Sequence, residues 1–270
     1  TDNNGTVDAA TRSVRVLNRE PRVGIGAVNG TPIAGDRVTV PPSTLADPDG
    51  RVTAVEWRVL NESGAVVAEN TTDSLSFVPS RAGYYELVLT ATDDDGAAAT
   101  AEMPVYVTAR PVARLDVADP PVEGASVTFT GVNSTDADGT IERYGWDLDG
   151  DGTFERTGPT TNWTFGDPGA HDVAVRVTDD RGAVDVRRRS VTVANPSPTL
   201  AVDVPREVAV GETILATANA SDPGGDGVTY AWRRLDTGVD LGTGDGVRVT
   251  PNETGTITLR VVANTSDGAS

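Results

Sequence analysis

The stretch Trp146-Asp147-Leu148-Asp149-Gly150-Asp151-Gly152 sets three carboxylates at alternate positions, turns on two glycines and opens on a large aromatic that favours burial. Three readings compete for it: a metal loop, a catalytic pair of carboxylates, or an acidic turn leaving a buried strand. What separates them is whether Trp146 stands alone.

It does not. LADPDGRVTAVEWRVL around Trp57, STDADGTIERYGWDLD around Trp146 and ASDPGGDGVTYAWRRL around Trp232 align with one another. A second trio follows each: RAGYYELVLTATDDDGA, DPGAHDVAVRVTDDRGA and ETGTITLRVVANTSDGA. Gly83, Gly169 and Gly255 are 86 residues apart, and so are Gly96, Gly182 and Gly268. A fixed period of this size means one module repeated. Within each copy apolar and polar residues alternate, as in Leu87-Leu89, Val173-Val175-Val177 and Leu259-Val261, and no stretch carries a helical period. Asp-Gly, Pro-Gly and Gly-Gly turns separate the runs. The expected fold is all-β: a tandem array of sandwiches of about seven short strands each, with Trp57, Trp146 and Trp232 at the centre of the three cores.

The repeats predict a module over 18–108, another over 109–194 and a third over 195–270, joined at Arg19-Glu20-Pro21, Ala109-Arg110-Pro111 and Asn195-Pro196-Ser197-Pro198. Proline fixes φ and removes a donor, so these joints are expected to be stiff and the array a rod. Residues 1–17 match the end of the second module, with Val14 and Val16 in the columns of Val191 and Val193, whereas the third module stops where its last strand should begin. Two readings stay open: a segment of a longer array, or a donor strand carrying Val14 and Val16 that completes the third sandwich of a neighbouring copy.

The charge narrows the partners. At −18, with pI near 4.3, the chain repels nucleic acid and anionic membranes. All 22 basic residues are arginine. Acidity without lysine resembles proteins of extreme halophiles, where molar salt shrinks the Debye length to roughly 3 Å and screens such self-repulsion. Cysteine is absent, so no disulfide marks the compartment. Asn-x-Ser/Thr marks it instead, at Asn4, Asn29, Asn61, Asn70, Asn133, Asn162, Asn219, Asn252 and Asn264. Chance would place about two such sequons among so few asparagines. The expectation is a glycosylated protein outside the cell, part of something longer, since no signal peptide or apolar span is present.

With the tryptophan before an acidic Gly-rich turn, a preceding Asp-x-Asp-Gly and a later Gly-x-apolar-x-apolar-x-apolar-x-Asp run, the chain resembles the PKD (polycystic kidney disease) repeat. The second module carries the motif best; in the others Trp57 is followed by Arg58-Val59-Leu60 and Trp232 by Arg233-Arg234-Leu235, without the acidic turn. The resemblance implies immunoglobulin-like sandwiches serving as spacer, adhesion or carbohydrate-contacting modules, often beside secreted hydrolases, and it does not imply catalysis. The function expected is a surface stalk, adhesin or fibre subunit, whose partners are other copies of itself, surface-layer proteins or glycans; the alternative is a spacer or substrate-contacting region of a hydrolase.

Asp147, Asp149 and Asp151 have the spacing of the first half of a calcium loop, with Glu155 at its ninth position. The glutamate expected at the twelfth is replaced by Gly158. Calcium is therefore the one cofactor the sequence suggests, against an acidic solvated turn. Asp47-x-Asp49, Asp136-x-Asp138 and the looser Asp222 and Asp226 read as turn residues bonding local backbone, and Asp93-Asp94-Asp95 as an exposed hairpin tip. A glycosidase pair needs a cleft that small sandwiches do not supply. The single histidine, His171, shares a column with Tyr85 and Ile257 and reads as a strand residue. Trp163, in the alternating Trp163-Phe165 run, reads as core, with sugar stacking as the alternative.

Overall fold

A computed structural model of the chain describes residues 9–266 and 268. Among the described residues every regular element is a strand, and no helix is long and apolar enough to cross a membrane. The chain divides into two compact units, one of Thr1–Arg110 with Arg181–Ala183, the other of Pro111–Asp180 with Val184–Ser270.

In the first unit, β1 (Arg22–Ile25) pairs with β3 (Pro42–Ala46) and β2 (Val38–Val40) with β6 (Leu75–Phe77). The larger sheet runs in the order β5 (Val66–Asn70), β4 (Val52–Asn61), β7 (Gly83–Asp93), β8 (Ala98–Val107). Alternation buries Tyr85, Leu87, Leu89 and Ala91 of β7, the first three in one cluster with Val38, Val40, Trp57, Val59, Leu75 and Phe77. The second unit holds two such arrangements. In the first of them β13 (Thr160–Thr164), β10 (Ser126–Thr130) and β9 (Asp116–Val117) form one sheet, and β12 (Arg156–Thr157), β11 (Ile141–Asp147), β14 (Gly169–Asp179) and β15 (Val184–Val193) the other. In the second, β16 (Thr199–Asp203), β17 (Ile214–Ser221) and β20 (Gly246–Val249) form one sheet, and β19 (Val239–Thr243), β18 (Val228–Arg234) and β21 (Leu259–Thr265) the other.

The three sandwiches share one register. Trp57 lies opposite Leu89, Trp146 opposite Val175 and Trp232 opposite Val261. The three indoles are 0%, 0% and 2% exposed. Their polar ends differ. Trp146 Nε1 donates to Gly158 O at 2.8 Å and Trp232 Nε1 to Gly244 O at 3.0 Å. Trp57 Nε1 is buried with no acceptor. In the β4–β5 hairpin Asn61 Oδ1 caps the amides of Ser63 and Ala65; Trp146 and Trp232 each donate to a carbonyl twelve residues further along the chain.

The third sandwich departs from the others at one edge. β7 and β14 both begin at a glycine of the repeat, Gly83 and Gly169, where β8 and β15 pair with them. β21 begins only at Leu259, and its outer edge has no partner among the described residues. A cavity of about 740 Å³, lined in part by Val204, Val208, Ile214, Ile257 and Leu259, opens there. Residues 9–21, expected in part to be a final strand, belong to no strand, and Val14 and Val16 are 85% and 88% exposed.

The indole asymmetry is testable. Trp146→Phe leaves the Gly158 carbonyl without its donor, while Trp57→Phe removes a buried orphan donor, so the first should destabilise by about 1–2 kcal/mol more than the second. Chemical denaturation of both variants measures the difference; equal losses would mean the indole N–H contributes nothing.

Candidate functional site

The acidic loop of the second sandwich is built by the strand that carries its tryptophan. β11 ends at Asp147, and Trp146, Asp147 and Leu148 are all buried in succession, so alternation breaks where the turn starts. Leu148 enters the core beside Trp146. The buried Asp147 is held by backbone: Oδ1 accepts the N–H of Gly150 at 2.8 Å and Oδ2 that of Gly152 at 3.1 Å. Both glycines have φ in the left-handed region, +77° and +91°, where other residues strain. Asp149 Oδ1 accepts from the Asp151 amide, and Asp151 Oδ1 from the amide and hydroxyl of Thr153. The Thr153 hydroxyl, then its amide, hold the Asp151 carboxyl below the usual range. Phe154 closes the loop under the guanidinium of Arg176, 4.2 Å from the ring centre.

One carboxylate oxygen from each of Asp147, Asp149, Asp151 and Glu155 lies within 4.8 Å of the others, with only Asp147 buried. The loop thus gathers the four residues the sequence singles out, around turns in which each aspartate caps its own amides. Gly158, at the twelfth position, gives its carbonyl to Trp146.

In the other acidic turns Asp47 accepts the amide of Asp49 and Asp222 that of Gly224, the local bonding expected of them, and longer-range bonds are added. The amide after the Asp-x-Asp-Gly turn, Arg51 in the first sandwich and Thr140 in the second, donates to Asp94 and Asp180 of the opposing hairpin. Asp93, expected at an exposed tip, is 2% exposed and accepts from Asn18 Nδ2 and the amides of Asp95 and Ala97. Burial alone would raise its pKa; the bond from Asn18 and those from the hairpin amides outweigh it and lower the pKa. Nothing in the sequence separates Asp93 from Asp94 and Asp95 except its place on the inward face of β7, two residues after Ala91. Asp136 goes the other way. Neither of its buried oxygens has a hydrogen-bond partner. Burial first, then the charge of Asp138, push its pKa up, and the nearby amides of Ala137 and Asp138 offset this only in part.

Among the remaining candidates, His171 Nε2 lies 2.9 Å from Asp167 O and the ring packs on Phe165. Trp163 is half-buried against the core, with Arg156 over its ring. Of the sequon asparagines, Asn29, Asn133, Asn162, Asn219, Asn252 and Asn264 are exposed and Asn61 and Asn70 partly so, while Asn4 lies outside the described residues. Asn61 and Asn70 accept, on Oδ1, the hydroxyl of their own sequon, Ser63 and Thr72.

A family profile described as "PKD domain" matches residues 108–194, and one described as "K319L-like, PKD domain" matches 33–107. The pre-pro-metalloprotease PrtV of Vibrio cholerae is 30% identical over 122 residues, which is 45% of this chain but 12% of that protein. The PKD1 domain of that metalloprotease, solved as a crystal structure, is 31% identical, covering 31% of this chain and 96% of the domain with a TM-score of 0.27. Fibronectin(III)-like modules of Clostridium thermocellum CbhA are 22% identical, covering 64% of this chain and 93% of theirs with a TM-score of 0.38.

The raised pKa of Asp136 carries a signed prediction. A group whose folded pKa exceeds its unfolded value, 3.8, favours the fold while protonated and loses that contribution as pH rises through the folded pKa. Asp136→Asn should therefore raise the melting temperature at neutral pH, and the gain should shrink to nothing below pH 3.8. Melting curves across that range check it; a variant less stable than the parent at pH 7 would show that the carboxylate is stabilising.

Proposed function

Because residues 33–107 and 108–194 of this chain belong to the PKD domain family, and the third sandwich repeats their tryptophan register, we propose a non-catalytic structural or adhesive region of an extracellular surface protein, serving as stalk, adhesin or fibre subunit. The carrying observation is the threefold sandwich itself, in which the chemistry-bearing carboxylates cap turns and the aromatic residues fill cores. The acidic surface favours cations; the partners proposed are other copies of the chain, surface-layer proteins and glycans. The Asp147, Asp149, Asp151 and Glu155 loop offers hard oxygen ligands, and calcium is the cation such a set would take. A second reading, a spacer or substrate-contacting region of a secreted hydrolase, is favoured by the likeness to part of PrtV; the flanking sequence of the parent gene separates the two.

Export to a glycosylating compartment is the part of this reading most directly open to test. Glycopeptide mapping of protein from its native host should find N-linked glycans on the exposed sequons Asn29, Asn133, Asn162, Asn219, Asn252 and Asn264. Unmodified asparagine at all six sinks the surface-glycoprotein reading.

For a fibre subunit, the open edge of β21 and the exposed Val14 and Val16 supply a mechanism: strand addition from a second copy. Light scattering over a concentration series should then show polymers that vanish when residues 1–17 are deleted. A monomer in both cases would overturn strand addition between copies.

A further inference from the structure

A second cluster of carboxylates lies away from the Asp147 loop and brings together residues about 100 positions apart. Glu123 sits in the turn before β10, its backbone N–H donating to Ala194 O at 3.0 Å. Asp222 and Asp226 flank the loop between β17 and β18. One carboxylate oxygen from each of the three lies within 4.8 Å of the other two. Glu123 is fully buried and Asp222 is 8% exposed. All three residues belong to the second compact unit.

The approach is made by backbone. A Cβ on Gly224 would stand 1.9 Å from Glu123 Oε1, and a Cβ on Gly124 would stand 1.8 Å from Pro223 O. Each side of the contact therefore needs glycine. At Gly224 the backbone does not lie in the left-handed region, so it is the closeness of Glu123 that excludes a side chain there.

Asp222 shows what the arrangement lacks. Its Oδ1 accepts the N–H of Gly224 at 2.8 Å, which completes a local turn. Its Oδ2 is buried with no hydrogen-bond partner. An ionised oxygen shut away from water and faced by two more carboxylates is costly unless something positive meets it. Asp226 is anchored separately, accepting the Ser266 hydroxyl on Oδ1 at 2.8 Å.

We propose that Glu123, Asp222 and Asp226 form a calcium site that ties the turn before β10 to the β17–β18 loop. Calcium binds oxygen at roughly 2.3–2.6 Å, so two of its ligands stand at most about 5 Å apart; magnesium, at roughly 2.0–2.1 Å, requires them closer than about 4.2 Å. The three oxygens, all within 4.8 Å of one another, meet the calcium limit. The all-oxygen, all-anionic set selects a hard cation over a transition metal. The two glycines place the ligands before any ion arrives, and the ion relieves their repulsion.

The experiment is calcium titration of the chelator-treated 270-residue chain by calorimetry, paired with melting curves in chelator and in calcium. Asp222→Asn keeps the Oδ1 acceptor that the turn needs and removes the charge. It should bind about one calcium fewer per chain and lose part of the calcium-dependent rise in melting temperature, while melting at or above the parent in chelator. Asp151→Asn, in the other acidic loop, should keep that equivalent. Should Asp222→Asn melt below the parent in chelator, Glu123→Gln, which leaves the β17–β18 loop unchanged, carries the same expectation. Full calcium binding in both Asp222→Asn and Glu123→Gln would overturn the site, and magnesium binding as tight as calcium would overturn the choice of ion. A parent that calcium does not stabilise, but that gains stability as these carboxyls protonate on acidification, would replace the ion with shared protons.

Discussion

The contact on which each sandwich depends is the buried indole lying across the middle of the long hairpin strand: Trp57 against Leu89, Trp146 against Val175, Trp232 against Val261. A module of 86 residues buries little apolar surface for its chain length. A tryptophan contributes more of that surface than any other side chain. The dependence is greatest in the third sandwich, whose fully buried cluster holds Ile214, Ala216, Ala218, Trp232, Val247 and Val249, two of them alanines. In the second, Phe129 and Phe165 share the load, their rings 6.2 Å apart. With cohesion concentrated in a few core side chains, the outside is free to be acidic.

Several aspartates nevertheless turn inward, and their environments decide what each one does. Asp147 meets two glycine amides and Asp93 meets Asn18 and its own hairpin, so ionisation is matched by donors in both places. Asp136 and Asp222 have buried oxygens without a hydrogen-bond partner. The same residue type in repeated turns therefore acts as a brace in one place and as a buried unmet charge in another. The difference lies in where the neighbouring amides point, which is a property of the loop and not of the aspartate.

That distinction marks the boundary of what the sequence discloses. The period of 86, the alternation and the turn glycines carry the sandwich fold, and even the partners of the tryptophans, since Leu89, Val175 and Val261 recur at that same spacing. The four carboxylates of the acidic loop are neighbours in sequence, and their convergence follows from two glycines between them. The burial of Asp93 is half legible: it continues the inward column of β7, but its place in a run of three aspartates suggests solvent. The meeting of Glu123 with Asp222 leaves no local trace at all. It depends on two backbones passing within van der Waals reach, and a glycine that clears a path reads the same as one that turns a corner.

Strand formation at the third edge shows the same division between local preference and tertiary context. Gly255-Thr256-Ile257-Thr258 alternates as well as Gly83-Tyr84-Tyr85-Glu86, and threonine and isoleucine favour strands. Yet the latter four residues lie in β7 and the former lie outside β21. The difference is the neighbour: Gly83 to Glu86 lie paired opposite Val107, Tyr106, Val105 and Pro104, and no described strand pairs with 255–258 at that place. Propensity makes these residues ready to be a strand, but hydrogen bonds to a second chain segment make them one. The column of Val105, Val107, Val191 and Val193, buried in the first two sandwiches, is the column the cavity of the third leaves unfilled. A segment that pairs with β21 and alternates valine on one face would both extend the strand and close the core, because in a sandwich the edge and the seam are completed by the same residues.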